Sequence, residues 1–157
     1  MQEFEGRTAV ITGGASGIGL ATGERLAAEG MRLVLADIEE PVLDEQVDRL
    51  RAAGRDVIGV RTDVADPDSV RALAAAAHDR FGPVHLLFNN AGVGGGGPML
   101  TPDDLDVWEW TLGVNLLGVI HGIKAFGPAM LAHGDPCHIV NTASMAGLLP
   151  TPGLGAY

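Results

Sequence analysis

Five apolar runs of strand length recur along the chain, each separated from the next by a longer stretch of helical spacing. The runs are Thr8 to Thr12 (TAVIT), Arg32 to Ala36 (RLVLA), Val57 to Arg61, Val84 to Phe88 (VHLLF) and His138 to Thr142 (HIVNT). The unbroken apolarity of the fourth predicts burial on both faces. From Gly17 to Glu29 the spacing predicts a helix with Ile18, Ala21, Leu26 and Ala27 inward and Glu24, Arg25 and Glu29 outward. A second helix runs from about Pro41 to Ala53, with Val42, Leu43, Val47 and Leu50 on one face and Gly54 as its stop. Asp66-Pro67 supplies an N-cap and a first-turn proline for a third, ending near Arg80. Thr101 to Asp104 starts another helical region by the same logic, and Trp108 to Ala132 is helical with a bend at Gly127-Pro128. Strands alternating with crossover helices make this an α/β chain, a doubly wound parallel sheet with helices on both faces. No linker or repeat divides residues 1–157, so they read as a single domain.

Composition narrows the class. Hydrophobic residues at 46% and charged residues at 19% describe a globular chain. A net charge of −10 offers no basic stripe to neutralise phosphates, which argues against nucleic-acid and anionic-membrane partners. Met1 to Gly6 contains no apolar stretch of the kind a signal peptide needs, and no uninterrupted apolar run approaches a membrane span. The single cysteine, Cys137, excludes an internal disulfide and fits a reducing compartment. The expected location is cytoplasmic. The five histidines are scattered without metal-ligand spacing, so no metal site is expected.

The chemistry begins at the end of the first strand, where Thr12-Gly-Gly-Ala-Ser-Gly-Ile-Gly19 opens a helix. In that context Gly13 permits a tight turn, Gly17 lets backbone approach a pyrophosphate, and Gly19 permits close helix–sheet packing. Backbone N–H groups around Ser16, Gly17 and Ile18 then form the positive end of the helix, suited to an anion. Asp37 follows Gly19 by 18 residues and ends the second strand, where a carboxylate can accept hydrogen bonds from ribose hydroxyls. Its charge repels a 2′-phosphate, and neither Ser16 nor Ile38 is basic. The cofactor expected is therefore NAD rather than NADP. Gly94 to Gly97 reads as a plain loop after the fourth strand, with a substrate-side lid as the alternative.

With these residues in place, the sequence resembles the short-chain dehydrogenases/reductases in their compact, single-domain branch, across about Gly6 to Tyr157. Thr12 to Gly19 matches the TGxxxGxG pattern of that branch. Asp63-Val64 matches its adenine contact, and Asn89-Asn90-Ala91-Gly92 matches its NNAG motif, in which the backbone meets the cofactor and Asn90 steadies the sheet. Asn115 matches the helix asparagine that orders a proton-relay water. Ser144 matches the catalytic serine, and Tyr157, 13 residues later, the catalytic tyrosine.

The resemblance implies a Rossmann-type sheet in the order 3-2-1-4-5, its C-terminal strands missing, and hydride transfer between nicotinamide and a secondary alcohol or ketone. Tyr157 would be the acid/base and Ser144 would hold the substrate oxygen in line. A free tyrosine has a pKa near ~10; the family lowers it with a lysine four residues on, at position 161, which this chain does not contain. On that ground the sequence reads as truncated and the 157-residue chain as inactive. Its fifth strand is expected to be an unpaired edge. Members assemble as homo-oligomers, dimers or tetramers, through the long helix and the tyrosine helix, and act on small molecules. Met145, Leu148, Leu149 and Pro150 read either as an apolar wall for a partly hydrophobic substrate or as residues that pack the loop itself. Two other readings stand beside this one: a non-catalytic dinucleotide-binding or sensor module, and a Rossmann methyltransferase, against which the NNAG, serine and tyrosine matches weigh.

Overall fold

The computed structural model describes residues 3–96, 105–149 and 152–157. Five strands form one parallel sheet: β1 (Thr8–Thr12), β2 (Arg32–Asp37), β3 (Val57–Arg61), β4 (Leu86–Asn89) and β5 (His138–Asn141). Their order is β3-β2-β1-β4-β5, as the resemblance implied. The helices are α1 (Gly17–Ala28), α2 (Glu40–Ala52), α3 (Pro67–Phe81), α4 (Leu105–Leu112) and α5 (Gly118–Ala132). The start of a helix at Thr101 to Asp104 and the end of the Gly94 to Gly97 loop lie outside the described residues.

The sheet is covered on both faces because each central strand sends alternate side chains to opposite sides. Ala9, Ile11, Leu33 and Leu35 join Leu26 and Ala27 of α1 and Leu43, Val47 and Leu50 of α2 in one apolar layer. Val10, Val34 and Leu87 join Val70, Leu73 and Ala77 of α3 and Phe126 and Met130 of α5 in the other. Every residue of β1 is buried, whereas β5 is exposed throughout and forms one edge of the sheet, with β3 at the other. Chain connections run one way from β1 to β2 and β3, and the other way to β4 and β5. The crevice between β1 and β4 at the C-terminal strand ends is thus the switch point where such sheets hold ligands.

Several boundaries and faces differ from the sequence reading. Strand β4 begins at Leu86 rather than Val84, although the His85 N–H still bonds to the Thr8 carbonyl at 2.9 Å. In α1 the buried stripe is Gly19, Gly23, Leu26 and Ala27, while Ile18 and Ala21 are exposed. The glycines let the helix sit close on Ile11 and Leu35, so the sheet-facing stripe falls on residues with no side chain and turns Ile18 outward. Val42 is also exposed, leaving Leu43, Val47 and Leu50 as the buried face of α2.

The long helix holds the largest difference. It runs on through Pro128 to Ala132, and its irregularity lies instead at Gly113–Leu117, one turn of π-helix between α4 and α5. Pro128 is exposed, where a carbonyl lacking its N–H partner can meet water. At 28 residues, with a mean hydropathy of 1.3 over its most apolar window, Leu105–Ala132 has the length and apolarity of a membrane span. One face is nonetheless committed to protein: Gly118, Gly122, Phe126 and Met130 are buried against α3 and β4.

Candidate active site

The turn after β1 is shaped by glycines that do different work. Gly13 has φ +64°, and a Cβ there would lie 2.9 Å from the Ala91 Cα. Gly17 has φ +53°, but a Cβ there would meet nothing, because it faces open space in the cleft. Gly19 is a packing residue: its Cβ would lie 2.0 Å from the Gly13 carbonyl oxygen. It is accordingly the one expected cofactor residue that does not line the cleft. Ser16 is the N-cap of α1 without a side-chain cap bond, and the first turn carries no acidic residue. The first-turn N–H groups and the positive helix end therefore face the cleft with no carboxylate of that turn competing.

Asp37 sits beside this turn and is half-buried. Its Oδ2 accepts the Ala15 N–H at 3.0 Å and its Oδ1 accepts the Glu39 N–H at 3.2 Å. The carboxylate is thereby fixed between the glycine turn and the start of α2, and each oxygen keeps a second lone pair. Next along the rim, Asp63 accepts the Ala65 N–H at 2.9 Å through its side chain and donates its own backbone N–H to Ser69 Oγ at 3.0 Å. Val64, largely buried, completes that turn.

Asn90 ties three strand ends together. Its Nδ2 donates to the Thr12 and Gly13 carbonyls at 3.1 and 3.3 Å, and its Oδ1 accepts the Thr142 hydroxyl at 3.3 Å. The Thr12 hydroxyl oxygen accepts the N–H groups of Asn90 and Ala91 at 3.0 and 3.1 Å. Asn89 Nδ2 bonds Asn141 Oδ1 at 2.8 Å, extending the tie to β5. Ala91 and Gly92 continue as the cleft wall.

Asn115 lies in the π turn and closes on the backbone of Val93: Oδ1 accepts its N–H at 2.8 Å and Nδ2 donates to its carbonyl at 2.9 Å. Each end of the amide holds one backbone partner, so the side chain secures the cleft wall, with a second lone pair on Oδ1 and a second N–H on Nδ2 still to spare. Ser144 Oγ accepts the Ala146 N–H at 3.2 Å, which leaves the hydroxyl proton able to point elsewhere. Tyr157 is 47% exposed and lines the same cleft as Ser144 and Asn115.

The cleft has a volume of about 1190 Å³ and gathers Gly13, Ser16, Gly17, Ile18, Asp37, Asp63, Val64, Asn90, Ala91, Gly92, Asn115, Ser144 and Tyr157. It also uses residues the sequence reading did not assign to the site: Ile38, Glu39, Trp110, Val114, Val119 and Thr142. Glu39 was legible as the neighbour of Asp37. Trp110 and Val114 were not, because their helix carries apolar residues on every side.

These features define a dinucleotide-sized cleft at the switch point of a Rossmann-type sheet, with a serine and a tyrosine among the residues that line it. The sequence profile of the short chain dehydrogenase family matches residues 7–157. The 1-deoxy-11-beta-hydroxypentalenate dehydrogenase of Streptomyces avermitilis is 42% identical over 151 residues, covering 96% of this chain and 56% of that enzyme. The 2,5-dichloro-2,5-cyclohexadiene-1,4-diol dehydrogenase LinX of Sphingobium indicum is 37% identical over 155 residues, covering 97% and 60%. A short chain dehydrogenase/reductase from Burkholderia phymatum, solved in complex with NAD, superposes with a TM-score of 0.96 at 56% identity, covering 100% of this chain and 56% of that one. The chain belongs to the short chain dehydrogenase family, and it spans between half and two thirds of the length of these relatives.

Proposed function

We propose that this chain forms the NAD-binding part of an oxidoreductase that moves hydride between nicotinamide and a secondary alcohol or ketone. The observation that carries this reading is the convergence, in one cleft, of the Gly13–Ile18 turn, the Asp37 carboxylate, Ser144 and Tyr157. The residues fit the cofactor: Gly17 leaves open the space a phosphate needs, and the uncapped first turn of α1 offers N–H donors. Asp37 accepts from the ribose hydroxyls through its free lone pairs and disfavours a 2′-phosphate. NAD supplies the hydride acceptor when bound.

The chain's own residues supply the proton chemistry. Ser144 donates a hydrogen bond to the substrate oxygen and holds it in line with Tyr157. Tyr157 takes the proton from that oxygen in oxidation and returns it in reduction. Asn115, through Val93, keeps the opposite wall in place. The substrate is a small, partly apolar molecule, in keeping with the exposed Met145, Leu148 and Leu149 after Ser144. The exposed apolar side of the long helix, with Leu112, Leu116, Leu117 and Ile120, serves a homo-oligomeric interface.

The test is turnover by a chain extended past Tyr157 with a lysine four residues on, assayed by NADH formation on a panel of secondary alcohols. Tyr157→Phe in that chain should lose activity by at least about a hundredfold while NAD binding persists. Unchanged turnover in Tyr157→Phe would remove the tyrosine from the chemistry.

A further inference from the structure

We infer that Gly95 and Thr111 are positioning residues for the dinucleotide, a reading that rests on the NAD site proposed above. The glycines that follow β4 are not alike. Gly95 is buried, whereas Gly94 and Gly96 are exposed, and a Cβ at either of those two would meet nothing within 4 Å. None of the three has a positive φ, so backbone conformation demands glycine at none of them. At Gly95 the demand is for space. A Cβ there would overlap Thr111 Oγ1 and stand 2.8 Å from its Cγ2 and 3.0 Å from its Cβ. Thr111 belongs to α4, is 1% exposed, and its hydroxyl oxygen has no hydrogen-bond partner among the described residues. Its part in the contact is therefore one of shape. Rotation cannot clear it: two γ atoms fill two of the three staggered positions, so every rotamer leaves one of them toward Gly95. Further along the same long helix, Asn115 holds the Val93 backbone with hydrogen bonds at 2.8 and 2.9 Å. The helix thus grips the segment at two alternate residues, Val93 by hydrogen bonds and Gly95 by close packing. Val93 and Gly94 are thereby fixed as cleft wall. The strand order says which part of the dinucleotide this wall meets. In a parallel sheet the C-terminal ends follow the strands: Asp37 at β2, the Gly13–Ile18 turn after β1, Val93 and Gly94 after β4, and Ser144 after β5. With the adenosine ribose at Asp37 and the pyrophosphate at the glycine turn, the Val93–Gly94 wall stands beyond the pyrophosphate, away from the adenosine.

Calorimetric titrations of the 157-residue chain with NAD and with AMP test this. They are run on the wild type, Gly96→Ala, Gly95→Ala, Thr111→Ala and the Gly95→Ala/Thr111→Ala pair. Gly95→Ala should weaken NAD binding roughly tenfold and leave AMP binding unchanged, because the overlap displaces this wall and not the Asp37 side of the cleft. Thr111→Ala should weaken NAD binding by roughly threefold, the wall having lost its support. In the pair, the new methyl group occupies the space the threonine γ atoms leave, so NAD should bind more tightly than to either single variant, within about twofold of wild type. Gly96→Ala should match the wild type with both ligands. In heteronuclear NMR spectra the Val93 and Gly94 amides should shift in Gly95→Ala and return in the pair. Wild-type NAD affinity in Gly95→Ala, or a pair that binds NAD no better than Thr111→Ala, overturns the inference. The second comparison decides the matter even where Gly95→Ala alone does not fold. AMP affinity that falls in step with NAD affinity in Gly95→Ala overturns the placement of the wall. A wild-type chain that binds neither ligand fails at the cofactor reading itself, a result visible before any variant is made.

Discussion

Replacing Gly19 with alanine tests whether the glycine turn is built as described, because the structure gives Gly19 and Gly17 opposite roles. At Gly19 the new Cβ would lie 2.0 Å from the Gly13 carbonyl oxygen and 2.7 Å from Asn90 Nδ2. The first of these is backbone, and it is held in place by Asn90 at 3.3 Å. Relief requires α1 to back away from β1 by about 1 Å, which overpacking series put at about 3 kcal/mol. Loss of the Asn90 bond adds about 1 kcal/mol, and the better helix propensity of alanine returns about 1 kcal/mol. The net loss of about 3 kcal/mol lowers the Tm by roughly 6–12 °C for a domain of this size. Gly17→Ala meets no atom, so it bears only the strain of a side chain at φ +53°, about 1 kcal/mol and roughly 2–4 °C. Its methyl group projects into the cleft, so it should cost NAD affinity out of proportion to stability. Thermal unfolding followed by circular dichroism at 222 nm, with urea titrations to confirm unchanged m-values, measures both variants. A Gly19→Ala protein melting within about 3 °C of wild type would refute the claim that Gly19 is fixed by contact between α1 and β1.

Two further outcomes follow from named contacts. Asp37→Asn keeps an acceptor for the Ala15 N–H but removes the charge, so the NAD/NADP affinity ratio should fall by about tenfold, equivalent to ~1.4 kcal/mol of relieved repulsion; an unchanged ratio in calorimetric titrations would show that Asp37 does not face the ribose. His85, at the opposite end of the sheet from the cleft, accepts the Thr8 N–H at Nδ1 (3.2 Å), which places its proton on Nε2, 3.5 Å from Asp135 Oδ2. Burial and the nearby Arg7 and His133 push its pKa below the usual 6.5, with Asp135 opposing. Because the folded value is the lower one, this contribution to stability is complete above pH 6.5 and is lost as the pH falls from there through the folded value. Urea midpoints at stepped pH should show that decline in the wild type, and His85→Asn should flatten it; parallel curves would exclude His85 as the source.

The fold was legible because its signals are local and repeated. Apolar runs of strand length between amphipathic stretches dictate a parallel sheet, and Asp66-Pro67 dictates where α3 begins. The turn at Gly13 and Gly17 was legible because a positive φ constrains residue type at fixed places after β1, and Asp37 stood out as the carboxylate that ends β2. What escaped was set by tertiary contact. The outward turn of Ile18 follows from how close Gly19 and Gly23 bring α1 to the sheet, a distance that periodicity does not encode. The π turn at Gly113–Leu117 leaves no mark in a run that is apolar all round. It is visible only where Asn115 meets Val93, 22 residues earlier. Proline drew attention to Gly127-Pro128 instead, yet on an exposed helix surface a proline need not interrupt the helix. Trp110 escaped for a similar reason: lining the cleft is a property of how the long helix is set, through Gly113 and Gly118, against Ala65 and Val64.

The central claim is that this cleft holds NAD across its glycine turn, its Asp37 carboxylate and its Asp63–Val64 rim. A heteronuclear NMR titration of the 157-residue chain with NAD reads all three at once. The account predicts saturable shifts at the amides of Gly13, Ser16, Gly17, Asp37, Val64 and Ala91, with the His85 region at the far end of the sheet unmoved. Saturation without shifts at Gly13, Ser16 and Gly17, or no saturable binding at all, would contradict it.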